Sequence, residues 1–166
     1  MKNPSELEAN ARTYCTSREF KLSRALGQGT DGCVWKTTAH TAVKASENDD
    51  NHFRELACYE RLQYYAVKQI NGFMVPQLLD YNDNLLIIEM TIVQPPFILD
   101  FGKAYLDSKP PYFHDAHVMR DWEEGEKERW EEKWPTVRKL VSALQSFGIY
   151  YMDLNQRNIV FPRGDA

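Results

Sequence analysis

Three glycines early in the chain have a spacing that suits the approach of a phosphate group. They lie in the segment Gly27-Gln28-Gly29-Thr30-Asp31-Gly32-Cys33-Val34, which follows the GxGxxG pattern. In dinucleotide-binding proteins this pattern joins a strand to a helix, whereas here strand-like residues follow it. A glycine-rich turn between antiparallel strands can fold over phosphates, because glycine lets backbone amides approach closely. The segment is therefore predicted to be a phosphate-covering hairpin, although the pattern alone also occurs in ordinary turns.

A lysine and a glutamate follow at positions where they could form a buried ion pair. Lys44 ends the apolar run Thr41-Ala42-Val43-Lys44, one strand beyond the glycine hairpin. From there its ammonium group can point inward beneath the phosphates, and a buried ammonium needs a carboxylate partner. Glu55 on the next predicted helix is the candidate partner. The alternatives are a solvated Lys44 and an exposed glutamate, and the latter description fits Glu60 better.

An aspartate and an asparagine form a third group near the other end of the sequence. The segment Tyr151-Met152-Asp153-Leu154-Asn155-Gln156-Arg157-Asn158 is preceded by Gly148-Ile149 and followed by an apolar strand. An Asp and an Asn at this spacing are common by chance. With a turn before them and a strand after them, they form a more specific pattern.

These groups need a mixed α and β framework to hold them. The period-two and helical apolar patterns predict strands over residues 20–26, 33–38, 41–45, 75–81 and 85–90, and a helix over 53–65. Pro95-Pro96 marks a boundary, because two prolines cannot continue a central strand. Beyond it we expect helices over 121–133 and 135–147, with Trp122 and Trp130 in packing roles, and a final strand over 158–161.

Taken together, these motifs resemble the protein kinase fold. The first half resembles its N-terminal lobe, and the segment around Asp153 resembles the catalytic loop of the H-R-D-L-x-x-x-N type. The resemblance implies an α+β protein kinase-like fold, with an antiparallel N-lobe sheet and one regulatory-type helix, followed by a reduced, mainly helical C-lobe. The expected divisions are an N-terminal arm or helix (1–19), the N-lobe (20–93) and a truncated C-lobe (94–166).

The resemblance also implies roles for individual residues, with ATP and Mg²⁺ as the cofactors. Lys44, paired with Glu55, would hold the α- and β-phosphates, Asp153 would be the catalytic base, and Asn158 would be a metal ligand. Ile88 would be the gatekeeper, and the backbone of Glu89 to Thr91 would form the adenine-binding hinge. The nucleotide site would comprise Gly27, Gly29, Gly32, Val34, Ala42, Lys44, Ile88, Glu89, Met90 and Thr91.

Several departures from the kinase pattern affect the expected chemistry. Tyr151 and Met152 replace the usual His and Arg, and Asn155 replaces a lysine that often neutralises the transferred phosphate, unless Arg157 does so. Only eight residues follow Asn158, too few to reach the aspartate of a DFG motif in its usual place. The sequence Asp100-Phe101-Gly102 occurs earlier, where coincidence or helix capping is the preferred interpretation. A rearranged fold in which Asp100 supplies the carboxylate is the alternative, and Asp165 is another weak candidate.

These motifs lead to two hypotheses about function and to a third about binding partners. The first is an ATP-dependent phosphotransferase of the serine/threonine kinase type that transfers the γ-phosphate to a hydroxyl acceptor. The second is a pseudokinase or nucleotide-binding interaction module without efficient catalysis. In the third, a protein partner or a second copy of the chain covers Ile149, Tyr150, Tyr151 and Phe161, which a shortened C-lobe would leave partly exposed.

The composition of the chain narrows its possible partners and its expected location. The net charge of −4 makes nucleic acid an unlikely partner. No apolar run approaches the roughly 18 residues of a membrane span, and the first residues lack the pattern of a signal peptide. Three well-separated cysteines fit reduced thiols better than a disulfide framework. The expected location is therefore cytoplasmic.

Overall fold

The structure is a computed structural model that describes residues 3–162, a mixed α+β arrangement. Its helices are α1 (Pro4–Ser17), α2 (Asp49–Tyr64), α3 (Ala116–Trp130) and α4 (Trp134–Ser146), with short 3₁₀ turns at Pro111–His114 and Glu131–Lys133. Its strands are β1 (Leu22–Gly29), β2 (Gly32–Thr37), β3 (Thr41–Ser46), β4 (Gln69–Ile70), β5 (Phe73–Met74), β6 (Leu78–Asn82), β7 (Ile87–Thr91), β8 (Phe97–Ile98), β9 (Tyr105–Leu106), β10 (Ile149–Tyr150) and β11 (Ile159–Val160).

The largest sheet has five antiparallel strands in the order β1-β2-β3-β7-β6. Helix α1 packs on one face of it, where Tyr14 and Cys15 are buried together with Val43, Ala45 and Ile87. The buried apolar residues of helix α2 belong to a second cluster of core residues. This cluster extends to the helices α3 and α4, which form the helical half of the molecule. The residues of β3 are buried on both faces because each face is covered by a helix.

A second, smaller sheet joins segments that are far apart in sequence. Its order is β11-β8-β5-β4, with β8 antiparallel to β11 and parallel to β5. Ile159 pairs with Ile98, and Val160 pairs with Phe97. The pairing therefore places the segment that leads into Asp100 beside the segment that follows Asp153.

The tryptophans of the helical half pack against their own chain. Trp130 and Trp134 are buried, and the Trp130 ring lies 6.2 Å from the ring of Phe161. Trp130 Nε1 also donates to Glu126 Oε2 over 3.1 Å. Ile149 and Tyr151, which the sequence left in need of a cover, are fully buried within this chain. Their burial removes two of the four residues on which the argument for a covering partner depended.

Several element boundaries differ from those predicted. Helix α2 begins at Asp49 rather than at residue 53, because the side chain of Asn48 accepts from Asn51 N and caps it. Helix α3 likewise begins earlier, at Ala116, where Asp115 is the N-cap. Strand β1 continues through Gly29 instead of ending at Gly27.

Two expectations drawn from composition can be compared with the structure. None of the helices in residues 3–162 is long and apolar enough to cross a bilayer. The three cysteines, Cys15, Cys33 and Cys58, are buried and free of disulfides, as their spacing predicted.

Candidate functional site

The glycine segment forms a hairpin whose tip is Thr30-Asp31. Gly29 pairs with Gly32 across the two strands. Gly32 has φ +149, and a Cβ there would lie 2.2 Å from the carbonyl oxygen of Ala45, so packing against β3 requires glycine. A Cβ on Gly27 or Gly29 would meet nothing within 4 Å. The protein's own packing therefore explains only the third glycine of the pattern.

Lys44 lies at the centre of a buried cluster of charges. Its Nζ is 2.6 Å from Oε2 of Glu55 and donates to Oδ1 of Asp100 over 2.8 Å. Lys44 and Glu55 have relative exposures of 5% and 1%, so water screens this pair little. The sequence predicted the pairing of Lys44 with Glu55, and the structure brings them together.

Asp100 is held in this cluster by the strand before it and the aromatic residue after it. Leu99 N donates to the carbonyl oxygen of Asn158 over 3.0 Å, next to the paired strands β8 and β11. Phe101 is fully buried between Tyr59 and Tyr151, with ring centroids 5.3 and 5.4 Å away. Hydrogen bonding before Asp100 and aromatic packing after it therefore fix its position.

The preferred interpretation of Asp100-Phe101-Gly102 was a coincidence or a helix cap, and the structure contradicts the helix cap. The capping residues of the helices in residues 3–162 do not include Asp100. Its side chain instead reaches Lys44, as the alternative of a rearranged fold requires. The other candidate carboxylate, Asp165, lies outside the described residues.

The carboxylates of Glu55 and Asp100 share the ammonium of Lys44, but their pKa values are shifted in opposite directions. Burial raises the pKa of Glu55 to about 7, against the opposing charge of Lys44. Burial also acts on Asp100, but the Lys44 ammonium outweighs it and holds the pKa of Asp100 below its usual range. Burial disfavours the charge of Lys44, yet Glu55 and Asp100 together raise its pKa. The cluster therefore keeps Lys44 cationic and Asp100 anionic.

The segment around Asp153 forms a loop stabilised by its own side chains. Asn155 Oδ1 accepts from the backbone N–H groups of Arg157 and Asn158 over 2.9 and 3.1 Å. Asn155 is thus occupied in shaping the loop. Tyr151 Oη donates to the carbonyl oxygen of Leu99 over 3.0 Å, which ties the loop to the segment carrying Asp100. Asn158 is buried, whereas the Asp153 side chain is 34% exposed.

Lys103 is a charged residue of the site that sequence reasoning missed. Its Nζ lies 3.1 Å from Oδ2 of Asp31 at the hairpin tip and 3.5 Å from Oδ2 of Asp153. It follows Gly102 directly, so an interpretation that accepted the Asp-Phe-Gly tripeptide as part of the site would have found it. The side chain connects the glycine hairpin to the loop that carries Asp153.

The expected adenine hinge does not agree with the structure. Glu89 pairs with Val43 on one side and with Asp80 on the other, inside the five-stranded sheet. Its carboxylate accepts from Tyr14 Oη and Thr41 Oγ1 over 2.8 and 2.7 Å. Since α1 carries Tyr14, this side chain lies on the sheet face opposite to Lys44.

The rest of the predicted hinge is also part of the sheet. Thr91 N donates to the carbonyl oxygen of Gln77 over 2.9 Å and is therefore engaged. Lys44 pairs with Ile88, the predicted gatekeeper, and Ala42 pairs with Met90. Directly opposed residues share a face, so Ala42, Ile88 and Met90 lie on the side of Lys44. The first residues beyond β7 are Ile92 and Val93.

The donor atoms near Asp100 suit a magnesium ion shared with phosphates. No group of three or more His, Cys, Asp or Glu side chains that could hold a metal occurs within residues 3–162. Asp100 offers a carboxylate and Asn158 a side-chain amide oxygen, and Leu99 N joins their two segments. Mg²⁺ prefers oxygen ligands and is commonly bound by one or two carboxylates together with substrate phosphates. The residues present fit that mode of binding.

Comparisons with known proteins add no relative to this description. No family model matches the chain. No curated protein and no solved structure matches it either.

Proposed function

We propose that this protein is an ATP-dependent phosphotransferase with a protein kinase-like fold. The observation that carries the proposal is the position of Lys44, whose ammonium contacts Glu55 of α2 and Asp100 after β8. Burying charged groups such as Lys44 and Glu55 is costly unless they are paired. A fixed cation beside a carboxylate, beneath a glycine hairpin, is the arrangement that binds nucleotide phosphates and their metal.

The order of the elements supports a rearranged version of that fold. In the usual chain order, the strand that leads to the DFG aspartate follows the catalytic loop. Here β8 and Asp100 precede the loop with Asp153, yet β8 pairs with β11, the strand that follows this loop. We infer that the segment 97–102 takes the spatial place of the DFG segment from an earlier position in the chain.

The nucleotide would lie between the glycine hairpin and the face of β3 that carries Lys44. Gly27 and Gly29 leave room for the phosphates, since no side-chain or backbone atom would meet a Cβ there. Val34, Ala42 and Met90 would contact the adenine, because Ala42 and Met90 pair on the face of Lys44. Residues Ile92 and Val93, rather than Glu89 to Thr91, would then supply the hinge backbone.

The transfer step assigns one task to each polar residue. Lys44 binds the α- and β-phosphates, and Asp100 with Asn158 would hold Mg²⁺, which neutralises charge on the phosphates when bound. Asp153 accepts the proton of the acceptor hydroxyl as its oxygen forms a bond to the γ-phosphorus. The bond between that phosphorus and the β,γ-bridging oxygen breaks, and its electron pair leaves with ADP.

A nucleotide-binding module without turnover is the second candidate. Its main argument was the missing DFG aspartate, and the contact of Asp100 with Lys44 weakens that argument. The observation that favours it is the ammonium of Lys103, which lies 3.5 Å from Oδ2 of Asp153. A cation so close to the carboxylate competes with the proton of an acceptor hydroxyl.

The two candidates can be separated by measuring binding and turnover in the same variants. ATP is titrated by calorimetry with and without Mg²⁺, and transfer is followed as autophosphorylation and phosphate release. We expect Mg²⁺-dependent binding that Lys44→Met weakens, together with turnover that Asp153→Asn abolishes while binding persists. Asp121→Asn, an exposed carboxylate on α3, is the matched control. Binding that ignores Mg²⁺ and gives no turnover would support the second candidate, and no nucleotide binding would refute both.

A further inference from the structure

The ammonium of Lys103 lies between two carboxylates that come from different parts of the site. Asp31 is at the tip of the glycine hairpin, and Asp153 is on the loop near Asn158. Both distances, 3.1 and 3.5 Å, are those of ion pairs, and the shorter one joins Lys103 to the hairpin. A positive charge is thus held between the part that covers phosphates and the carboxylate that faces the acceptor.

Stability does not account for this arrangement. The Lys103 side chain is 47% exposed, and exposed ion pairs contribute little to folding because water and salt screen them. Asp31 does not depend on Lys103, because its Oδ1 also accepts from Asn51 Nδ2 over 3.0 Å. If Lys103 leaves Asp31, this carboxylate therefore keeps a hydrogen bond from Asn51.

The carboxylate of Asp153 receives no positive charge from Asn155, Arg157 or Lys44. Asn155 has no charge, and its side chain is engaged by the backbone of Arg157 and Asn158. The Arg157 side chain is exposed, and none of the ion pairs or hydrogen bonds of residues 3–162 includes it. Lys44 is fixed by Glu55 and Asp100 below the hairpin. Among the ion pairs of the described residues, the one with Asp153 comes from Lys103.

We propose that Lys103 binds the terminal phosphate of the nucleotide, exchanging its contact with Asp31 for phosphate oxygens next to Asp153. The proposal rests on the proposed function. It identifies Lys103 as the cation that takes the role of the lysine that Asn155 replaces in the kinase pattern. It also assigns Asp31 a role, since this carboxylate holds Lys103 in place until a triphosphate binds.

The test compares a nucleotide that has the terminal phosphate with one that lacks it. Affinities for Mg²⁺-ADP and for a non-hydrolysable Mg²⁺-ATP analogue are measured by calorimetry on the whole chain and on Lys103→Met, Lys103→Arg and Asp31→Asn. Lys139→Met removes a lysine exposed on α4, and Arg157→Met removes the rival cation. Melting temperatures are recorded for each variant.

We expect Lys103→Met to weaken binding of the triphosphate analogue by at least about tenfold, since a charge-assisted hydrogen bond is lost, and to change ADP binding by less than about threefold. Lys103→Arg should restore most of the loss, and both control variants should match the unaltered protein. Asp31→Asn keeps the acceptor for Asn51 but releases Lys103, so it should leave the affinity for the triphosphate unchanged or increase it.

Three results would overturn the inference. One is an equal loss for ADP and the triphosphate analogue in Lys103→Met, and another is no loss at all. The third is a parallel loss in Asp31→Asn, because Lys103 would then act only by closing the hairpin. If ADP and the analogue both bind and Lys44→Met weakens both, the proposed function survives each of these results. If the unaltered protein binds neither nucleotide, both proposals fail together.

Discussion

The backbone N–H of Leu99 donates to the carbonyl oxygen of Asn158 over 3.0 Å, so the residue before Asp100 lies beside a predicted metal ligand. This bond continues the pairing of β8 with β11 and is repeated on the other side by Tyr151, whose Oη donates to the carbonyl oxygen of Leu99. Both backbone polar groups of Leu99 are therefore hydrogen-bonded, and this fixes the position of Asp100 next to Lys44.

Replacing Asp100 by asparagine should reduce phosphoryl transfer much more than it reduces stability. The substitution keeps the shape of the side chain but removes a charge that we propose for Mg²⁺ binding. We expect a loss in turnover of about 100-fold or more, together with a higher Mg²⁺ requirement. The rate is measured against Mg²⁺ concentration, with Asp121→Asn as the control. Unchanged turnover and Mg²⁺ dependence would exclude Asp100 as the metal carboxylate.

The free energy of unfolding should fall as pH rises from about 5 to about 7. Burial raises the pKa of Glu55 from 4.5 to about 7, so the folded state binds a proton that the unfolded state has released. The stability that this proton contributes is fully present below about pH 4.5 and is lost progressively as pH rises to about 7, with a slope of at most about 1.4 kcal/mol per pH unit. The pKa of Asp100 is lowered, so its contribution changes only at lower pH.

Glu55→Gln should remove this pH dependence, because glutamine has no proton to release. Urea unfolding at several pH values provides the measurement. Glu60→Gln, on the exposed side of the same helix, is the matched control and should keep the slope of the unaltered protein. A slope that survives in Glu55→Gln would show that another group causes it.

Gly32→Ala and Gly125→Ala should change stability in opposite directions. At Gly32 the backbone has φ +149 and a Cβ would lie 2.2 Å from the carbonyl oxygen of Ala45, so we expect a loss of about 3 kcal/mol. At Gly125, inside α3, a Cβ would meet nothing, and alanine should gain up to about 1 kcal/mol from helix propensity. Thermal unfolding of both variants checks the pair, and similar melting temperatures would contradict it.

Tyr14→Phe should loosen helix α1 from the sheet. Tyr14 is fully buried and donates to Oε2 of the buried Glu89 over 2.8 Å, so its loss leaves that oxygen without this donor. We expect a cost of about 1–3 kcal/mol. Tyr64→Phe, at a residue that is 83% exposed, should cost nothing measurable. Equal free energies of unfolding for the two variants would mean that the Tyr14 hydroxyl does not anchor α1.

The first half of the site was predictable because its signals are local. The glycine spacing, Lys44 and Glu55 lie within consecutive elements, and periodicity alone predicts a hairpin, a strand and a helix in that order. The contact of Lys44 with Glu55 follows from that order once the helix covers the strand. The roles assigned to these residues in nucleotide binding remain predictions.

The second half was harder to predict because its contacts depend on pairing between distant segments. A strand was predicted over 158–161, where β11 lies, but β8 has only two residues, too few for a period to be recognised in the sequence. Their pairing is what brings Asp100 to Lys44 and Lys103 to Asp153. The expectation that the backbone of Glu89 to Thr91 binds adenine failed for a related reason: the apolar residues over 85–90 predicted a strand but not its pairing with Gln77 and Asp80.

The pairing of β8 with β11 has a consequence for the order in which the molecule folds. Lys44 and Glu55 are synthesised well before the loop with Asp153 and can pair on the nascent chain, whereas Asp100 is fixed only by contacts with the later residues Asn158 and Tyr151. The small sheet closes only when β11 joins β8, a contact of large sequence separation that costs loop-closure entropy. The pair of Lys44 and Glu55 is thus assembled early, whereas Asp100 and Asp153 reach their places together with this last contact.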